Sequence, residues 1–186
     1  MKNILKFETL KDLIEEHMTF AKKMFADVGR YSPMVIGYTG NTRVIMSIPF
    51  ENDSQKEQAL KMVTMLFIAK GVKRYTIANE GYLLQTEDQN EYTKLQKEGK
   101  RISDHPDSIE VLQTIAVSEI ETRMIIYKVN KDKTLELYND SLEKIGGIFS
   151  ELLPPKNLSQ ETVDKAKYVM SQMEQFIKEI PLDEEH

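Results

Sequence analysis

Residues 108–138, SIEVLQTIAVSEIETRMIIYKVNKDKTLELY, decide the fold, because they contain three β-rich runs with very little chain between them. The first run, residues 108–118, alternates apolar and polar side chains, and residues 123–129 and 134–138 form the other two. Each link between the runs is only four residues long, which suits a hairpin and is too short for a parallel crossover. The segment therefore predicts three consecutive antiparallel strands.

Upstream of this meander, the sequence predicts a second hairpin and a long strand. The β-rich runs 34–39 and 43–48 flank Gly40-Asn41, a pair that suits a two-residue type II′ turn because glycine accepts a positive φ. Residues 72–85 form the next strand, in which Gly81 predicts a bulge or a close backbone approach. Parts of the hairpin are apolar on both faces, which predicts a central position covered by helices.

Three segments carry apolar residues at helical spacing. The first ends at Gly29, and the second begins at the N-cap Asn52 and ends before Gly71. A third helix is predicted from Gln160 to about Glu179, after the N-cap Ser159.

These elements predict an α+β fold with one mostly antiparallel sheet of about five to six strands and helices packed on it. The expected order is α-β-β-α-β-β-β-β-α. At 186 residues the chain is predicted to form a single α+β domain, residues 1–186. Its core is expected at about residues 8–140, with a C-terminal helical segment at about 141–180. Residues 86–107 are the least regular part and carry one short predicted helix, 91–98.

The composition excludes several kinds of site. The chain has no cysteine, hence no thiol nucleophile and no thiolate-bound metal, and its three histidines are scattered, so no metal and no cofactor are expected. The N-terminal residues MKNILK lack the apolar stretch of a signal peptide, and no apolar run is long enough for a membrane span. A soluble, cytoplasmic protein is therefore expected. A net charge of −5 with dispersed basic residues argues against duplex nucleic acid as a partner.

One loop holds a cluster of chemically versatile side chains, Asp104-His105-Pro106-Asp107-Ser108-Ile109-Glu110. An imidazole beside carboxylates can act as a general base or a metal ligand, and Asp107 or Glu110 would then orient His105 or share the ligand. The alternative is structural, with Asp107 and Ser108 bonding nearby backbone in a turn. The structural alternative is the more common one for such a segment.

A second candidate is Glu80, in the stretch Asn79-Glu80-Gly81-Tyr82 late in an apolar strand. A carboxylate in that position must reach solvent at the end of the sheet or find a partner, because an unpaired buried charge is costly. Arg74, Arg43 and His105 are the partners we expect if their strands are neighbours. A structural ion pair or an exposed edge is a more common role for such a residue than that of a catalytic acid.

Three stretches resemble a family of small bacterial and tailed-phage proteins. They are PFENDSQK at residues 49–56, GVKRY at 71–75 running into NEGY at 79–82, and HPDSIE at 105–110. The family pattern favours arginine where Ser108 stands and tryptophan near Tyr82, so both positions depart from it. The resemblance implies a bacterial or phage-encoded protein and directs attention to Glu80 and His105, and it implies no particular activity.

Two main functional hypotheses follow. The first is a non-enzymatic binding or accessory protein that acts through protein contacts, as a homodimer or with another protein, using edge strands or methionine-bearing helices. The second is a hydrolase or small-molecule-binding enzyme, and it predicts that its acidic and histidine side chains converge on one concave pocket. That predicted site consists of Glu80, Asp104, His105, Asp107 and Glu110.

A third and more remote hypothesis is the binding of single-stranded nucleic acid by tyrosines and lysines on a face of the sheet. It requires exposed aromatic rings beside a basic groove. The first hypothesis is favoured because the sequence contains neither a phosphate-binding glycine loop nor a recognisable nucleophile or metal motif.

Overall fold

The computed structural model describes residues 9–85, 89–141 and 148–181, and it contains one seven-stranded, fully antiparallel sheet with helices on both faces. The helices are α1 Leu10–Val28, α2 Asp53–Lys70, α3 Gln89–Lys97 and α4 Gln160–Ser171. The strands are β1 Met34–Tyr38, β2 Thr42–Ser47, β3 Arg74–Leu84, β4 Ser108–Ser118, β5 Thr122–Val129, β6 Leu135–Ser141 and β7 Ile177–Pro181. They lie in the order β6-β5-β4-β3-β1-β2-β7. The predicted α+β class with one antiparallel sheet is confirmed.

The expected count of five to six strands is wrong, because the C-terminal segment adds a seventh. The helix predicted from Gln160 to about Glu179 ends at Ser171, and β7 follows it and pairs with β2. The prediction extended the helix because the apolar residues around Ile177 continue the helical spacing. It missed the strand because the partner of that strand, the edge of β2, is distant in sequence. With α3 placed between β3 and β4, the observed order becomes α-β-β-α-β-α-β-β-β-α-β.

The predicted C-terminal helical segment, about 141–180, is accordingly only partly helical. It contains a short 3-10 turn, Ile148–Ser150, and then α4 and β7. The sequence also predicts an interruption of this segment at Gly146-Gly147 and an acidic tail after Pro181, and both lie outside the described residues.

Local capping explains where the long helices begin and end. Thr9 forms a capping box with Asp12 at the start of α1, and Asn52 accepts the Gln55 N–H at 2.9 Å at the start of α2. Gly29 and Gly71 adopt the left-handed conformation after α1 and α2, with φ of 76° and 67°. The predicted stops at these glycines and the N-cap at Asn52 are confirmed.

The predicted β1–β2 hairpin is present, but its turn is not type II′. Gly40 lacks the positive φ which that turn requires. Instead, the Thr39 hydroxyl accepts the backbone N–H groups of Asn41 and Thr42, at 3.4 and 3.1 Å. The side chain of Thr39 thereby stabilises the turn through hydrogen bonds, whereas the prediction relied on the backbone conformation of glycine.

The sheet separates two main apolar cores, and a smaller third cluster is formed by Ile109, Val111 and Ile126. On one face α1 packs against β3, β4 and β5, and Leu13, Phe25 and Leu112 are among the buried residues. On the other face α2 and α4 pack together, and Phe67 of α2 approaches β1 so closely that a Cβ at Gly37 would lie 2.9 Å from its ring. Glycine at position 37 is therefore required by packing. The prediction of a central, helix-covered hairpin holds for β1, which lies between β3 and β2, whereas β2 lies next to the edge strand β7.

None of the helices in the described part of the chain has the length and apolar character that a bilayer span requires.

Candidate functional site

The predicted site residues lie near the end of the sheet where β3 and β4 extend beyond β1. β1 pairs with β3 only as far as Ala78, whereas β3 and β4 stay paired to Leu84 and Ser108. The register passes through Gly81 without a shift, and a Cβ there would meet only the Asn79 side chain, at 3.7 Å. The predicted bulge or close approach at Gly81 is therefore wrong. Beyond Ala78, the β1 side of β3 has no strand beside it among the described residues.

A cavity of about 540 Å³ lies along this open edge, between β3 and the start of α2, and we call it the acidic cavity. Its lining carries four carboxylates and two cations. The carboxylates belong to Glu51, Asp53, Glu80 and Glu110, and the cations to Lys56 and Arg101.

Glu80 holds the segment between α1 and β1 in place. Its Oε1 accepts a short hydrogen bond from the backbone N–H of Tyr31. Partial burial raises the pKa of Glu80, and nearby Glu110 adds to the rise, while the Tyr31 N–H, Lys133 and Arg30 oppose it. The expected pairings with Arg74, Arg43 or His105 do not occur in the described structure, and the carboxylate instead has a backbone partner.

Glu110 is shared between the acidic cavity and a second cavity of about 490 Å³, which we call the basic cavity. Glu110 lies opposite Tyr82 in the β3–β4 register, and both side chains line both cavities. The ammonium of Lys133 lies 3.2 and 3.3 Å from the two carboxylate oxygens of Glu110. Lys128 and Lys131 also line the basic cavity, so its charge is opposite to that of its neighbour.

His105 lies in the loop before β4, with partners from its own loop and from α3. Its Nδ1 accepts the backbone N–H of Asp107 at 3.2 Å, so the proton of the neutral imidazole is on Nε2. That Nε2 lies 3.6 Å from Glu91 Oε1, and Nδ1 lies 3.9 Å from Asp107 Oδ2. The side chain is largely buried. Of the two side chains that the structural alternative expects to bond nearby backbone, Ser108 does so, because its hydroxyl donates to the Ser103 carbonyl at 3.5 Å, whereas the Asp107 contact is made by its backbone N–H.

The five predicted site residues fall into two groups. Glu80 and Glu110 line the acidic cavity, whereas Asp104, His105 and Asp107 are not part of its lining. Asp104 closes its own turn, because its Oδ2 accepts the Arg101 N–H at 3.1 Å. The polar groups of this loop therefore bond mainly within the loop and do not line the acidic cavity.

Sequence reasoning missed a buried polar chain under α1. His17 is fully buried, with Nδ1 2.7 Å from the Thr76 hydroxyl and Nε2 3.0 Å from the Tyr31 hydroxyl. Burial lowers the pKa of His17 to about 3, so the imidazole is neutral. Tyr31 links this histidine to Glu80, because its backbone N–H donates to that carboxylate. A histidine on the apolar stripe of α1 was the available signal.

Within the described ranges, no three histidine or carboxylate side chains group in a way that could hold a metal ion.

Comparisons with family models, curated proteins and solved structures find no match to this chain. The resemblance to small bacterial and tailed-phage proteins accordingly stays a prediction. Function has to be inferred from the residues themselves.

Proposed function

We propose that the protein is a non-enzymatic binding protein that acts through protein contacts, and that its partner docks an amphipathic helix beside α1. One observation carries the proposal: three large apolar side chains are exposed in a row on α1. Phe20, Met24 and Val28 are exposed to 41%, 38% and 58%. Apolar side chains four residues apart form a ridge of the kind that packs against another helix.

This row lies on the β2 side of α1. Glu16 lies one turn before Phe20 on the same line and pairs with Arg43 of β2, with Nη1 3.0 Å from Oε1. On the opposite side of α1, the ammonium of Lys22 lies 3.7 Å from the ring centroid of Tyr127 in β5. The exposed row therefore borders the part of the sheet that α1 leaves uncovered.

Among the residues that the structure describes, the part of the sheet that α1 leaves uncovered is about as wide as a helix. Ile45 of β2 and Ile180 of β7 lie on the α1 side and are only partly buried. Two strands span roughly 10 Å, which matches the diameter of an α-helix. The described residues place one helix on this face and two on the other. We call the surface formed by Phe20, Met24, Val28, Ile45 and Ile180 the α1 groove.

A positive charge beside the groove favours a partner helix with acidic side chains. Lys178 of β7 is exposed beside Ile45 and has no ion pair among the described residues. Complementary charge across an interface guides binding, so the partner helix is expected to carry acidic side chains on the flank that meets Lys178.

The hydrolase hypothesis has less support from the geometry. A general base must lie within hydrogen-bond reach of the group whose proton it takes. His105 is engaged by the Asp107 backbone and faces Glu91, while Glu80 and Glu110 line a cavity to which His105 does not contribute.

The test uses a synthetic helical peptide of 18 residues with leucines on one stripe and glutamates on one flank. Binding is followed by methyl NMR of Met24, Val28, Ile45 and Ile180. We expect saturable shifts at these methyl groups, and at least fivefold weaker binding by Phe20→Ser. Ile120→Ser, which removes an apolar side chain exposed to 93% in the β4–β5 turn, is the matched control and should bind normally.

Three outcomes would overturn the proposal. One is the absence of shifts in the groove, and another is equal binding by the wild type and Phe20→Ser. The third is a dimeric mass in light scattering that becomes monomeric in Phe20→Ser, which would assign the groove to a second copy of the chain.

A further inference from the structure

β3 has an open backbone edge where it extends past β1. Gln85 continues the β3–β4 register and donates its backbone N–H to the Asp107 carbonyl at 3.1 Å, so its backbone groups point toward β4. Successive residues of a strand direct their N–H and C=O groups to opposite sides, so those of Tyr82 and Leu84 point away from β4. β1 pairs with β3 only as far as Ala78 and therefore does not reach these groups.

The outward backbone groups of Tyr82 and Leu84 have no hydrogen-bond partner in the described part of the chain. The first outward carbonyl beyond β1, that of Glu80, differs from them, because it accepts the side-chain amide of Asn79 at 2.9 Å. An exposed strand edge with unpaired N–H and C=O groups is a template for a further extended segment. The edge of β3 therefore offers two residues to such a segment.

The acidic cavity provides room for that segment beside β3. Gly81 and Tyr82 form one wall of its roughly 540 Å³, and residues just before α2, Phe50 and Asn52 among them, form the opposite wall. An added strand lies about 4.8 Å from its neighbour. Gly81 leaves space for a side chain of the added strand, because a Cβ at this position would meet only the Asn79 amide, at 3.7 Å.

The charge around the cavity favours a basic segment. Glu51, Asp53 and Glu80 belong to the lining, and none of the three makes an ion pair with a described residue. They outnumber the two cations of the lining, Lys56 and Arg101. Complementary charge guides the approach of a partner and rejects partners of the same sign.

We infer that the open edge of β3 binds an extended peptide carrying lysine or arginine side chains, which joins the sheet as an antiparallel strand. Tyr82 and Leu84 exchange backbone hydrogen bonds with this peptide. The peptide side chains opposite these two residues lie on the α1 face of the sheet, which is also the face of Glu80, because Ala78 two residues earlier belongs to the α1 core. The peptide side chain opposite Gly81 lies on the other face.

The experiment is a titration of the full chain with an acetylated heptapeptide of alternating lysine and valine, followed by amide hydrogen exchange in NMR. In the unbound chain the amides of Tyr82 and Leu84 should exchange rapidly, whereas those of Gly81 and Leu83, which point toward β4, should be protected. We expect the peptide to slow exchange at Tyr82 and Leu84 by about tenfold or more and to leave Gly81 and Leu83 unchanged. Binding through side chains alone would not produce this alternation.

Modified peptides test the contacts without changing the protein. The lysines lie opposite Tyr82 and Leu84, so N-methylation of the lysines removes the donors to β3 and should abolish binding. N-methylation of the valines modifies N–H groups that point away from β3 and should leave binding intact. Replacing the lysines by glutamates should weaken binding about fivefold or more, and added salt should weaken binding of the lysine peptide.

A protein variant tests the same edge. Tyr82→Pro removes one outward N–H, which a strand edge tolerates, and should weaken peptide binding about fivefold or more. Leu137→Pro is the matched control at the β6 edge of the sheet. Thr134 accepts the Asn130 N–H at 2.9 Å and so points toward β5, which by alternation directs the Leu137 N–H outward. This control should bind normally, and unchanged exchange at Ile115 in the core of the sheet verifies that both variants are folded.

Alternating protection along β3 with the lysine peptide supports the inference. The inference is overturned if a saturating peptide leaves exchange at Tyr82 and Leu84 unchanged, if the two N-methylated peptides bind alike, or if the glutamate peptide binds as well as the lysine peptide. Equal loss of binding by Tyr82→Pro and Leu137→Pro would also contradict it. Protection of Tyr82 and Leu84 without peptide, together with a dimeric mass in light scattering, would assign the edge to a second copy of the chain. None of these results depends on the α1 groove.

Discussion

His17 and His105 lie in two polar regions that differ in what surrounds the imidazole. His17 belongs to the buried polar chain, with the hydroxyls of Thr76 and Tyr31 on its two nitrogens, and it is fully buried. His105 belongs to a turn, with a backbone N–H on one side and the Glu91 carboxylate on the other. The sequence around His105 is rich in carboxylates, whereas that around His17 is part of an apolar stripe. The comparison indicates that burial is a better guide than acidic neighbours in sequence to how much a histidine contributes to stability.

The largest expected effect is that of His17→Leu. The substitution leaves the hydroxyls of Thr76 and Tyr31 buried without their nitrogen partners, so we expect the free energy of unfolding to fall by about 3 kcal/mol. Urea denaturation followed by circular dichroism measures it. A fall in unfolding free energy of less than about 1 kcal/mol would mean that the hydroxyls of Thr76 and Tyr31 find other partners. The buried polar chain would then not contribute to stability as a unit.

The second prediction concerns the pH dependence of stability. The imidazole of His17 has a pKa of about 3 when folded and 6.5 as a reference, so the unfolded state binds the extra proton between these values. Stability should therefore fall as the pH drops below about 6.5, by about 1.4 kcal/mol per pH unit from this group. Comparing wild type with His17→Gln isolates the contribution, since glutamine does not titrate. Parallel pH profiles for the two proteins would contradict a buried, neutral His17.

The third prediction concerns Glu80, where the buried chain reaches the acidic cavity. Its pKa is raised in the folded protein, so the stability from this group is present below its reference value of 4.5 and is lost as the pH rises through the folded value. Glu80→Gln keeps an oxygen for the Tyr31 N–H and removes the charge. It should stabilise the protein at pH 7 by less than about 1 kcal/mol, because the group is partly solvated.

Glu80→Ala is the matched comparison for that prediction. Alanine removes the acceptor of the Tyr31 N–H, so this variant should be less stable than Glu80→Gln at every pH. Chemical denaturation at pH 4 and pH 7 checks both variants. A stabilisation by glutamine that is larger at pH 4 than at pH 7 would contradict the assigned direction of the pKa shift.

The smallest effect is expected for His105→Ala. The substitution removes one bond to the Asp107 backbone and one contact with the Glu91 carboxylate, and both partners keep access to solvent, so the free energy of unfolding should fall by less than about 1 kcal/mol. Denaturation under the conditions used for His17→Leu gives a direct comparison. A loss equal to that of His17→Leu would reverse the contrast between the two histidines.

The fold could be predicted largely from short-range information. The meander from Ser108 to Ser141 has short links, and Gly29 and Gly71 end the first two helices, so these elements follow from local chemistry. β7 could not be predicted, because the strand Ile177–Pro181 exists by virtue of its pairing with β2. The turn type at Gly40 was predicted wrongly for a local reason, because the hydroxyl of the neighbouring Thr39 accepts the N–H groups of Asn41 and Thr42 without a positive φ at Gly40.

The candidate site could be predicted only in part. Glu80 and Glu110 were selected from the sequence and line the same cavity, because β3 and β4 are adjacent strands that both extend past β1. The ion pair of Glu110 with Lys133 forms only when the β5–β6 turn reaches the start of β4. The positions of Glu110 and Lys133 in the sequence do not indicate that the two side chains are in contact.

The sequence by itself determined the α+β class, the antiparallel meander, the ends of the first two helices and the absence of thiol chemistry. Each of these depends on residues within a few positions of one another, or on composition. The tertiary structure alone decided the seventh strand, the burial of His17, the separation of His105 from Glu80, and the two cavities of opposite charge. These features depend on which elements become neighbours, and the free energy that selects neighbours is spread over the two cores on either side of the sheet.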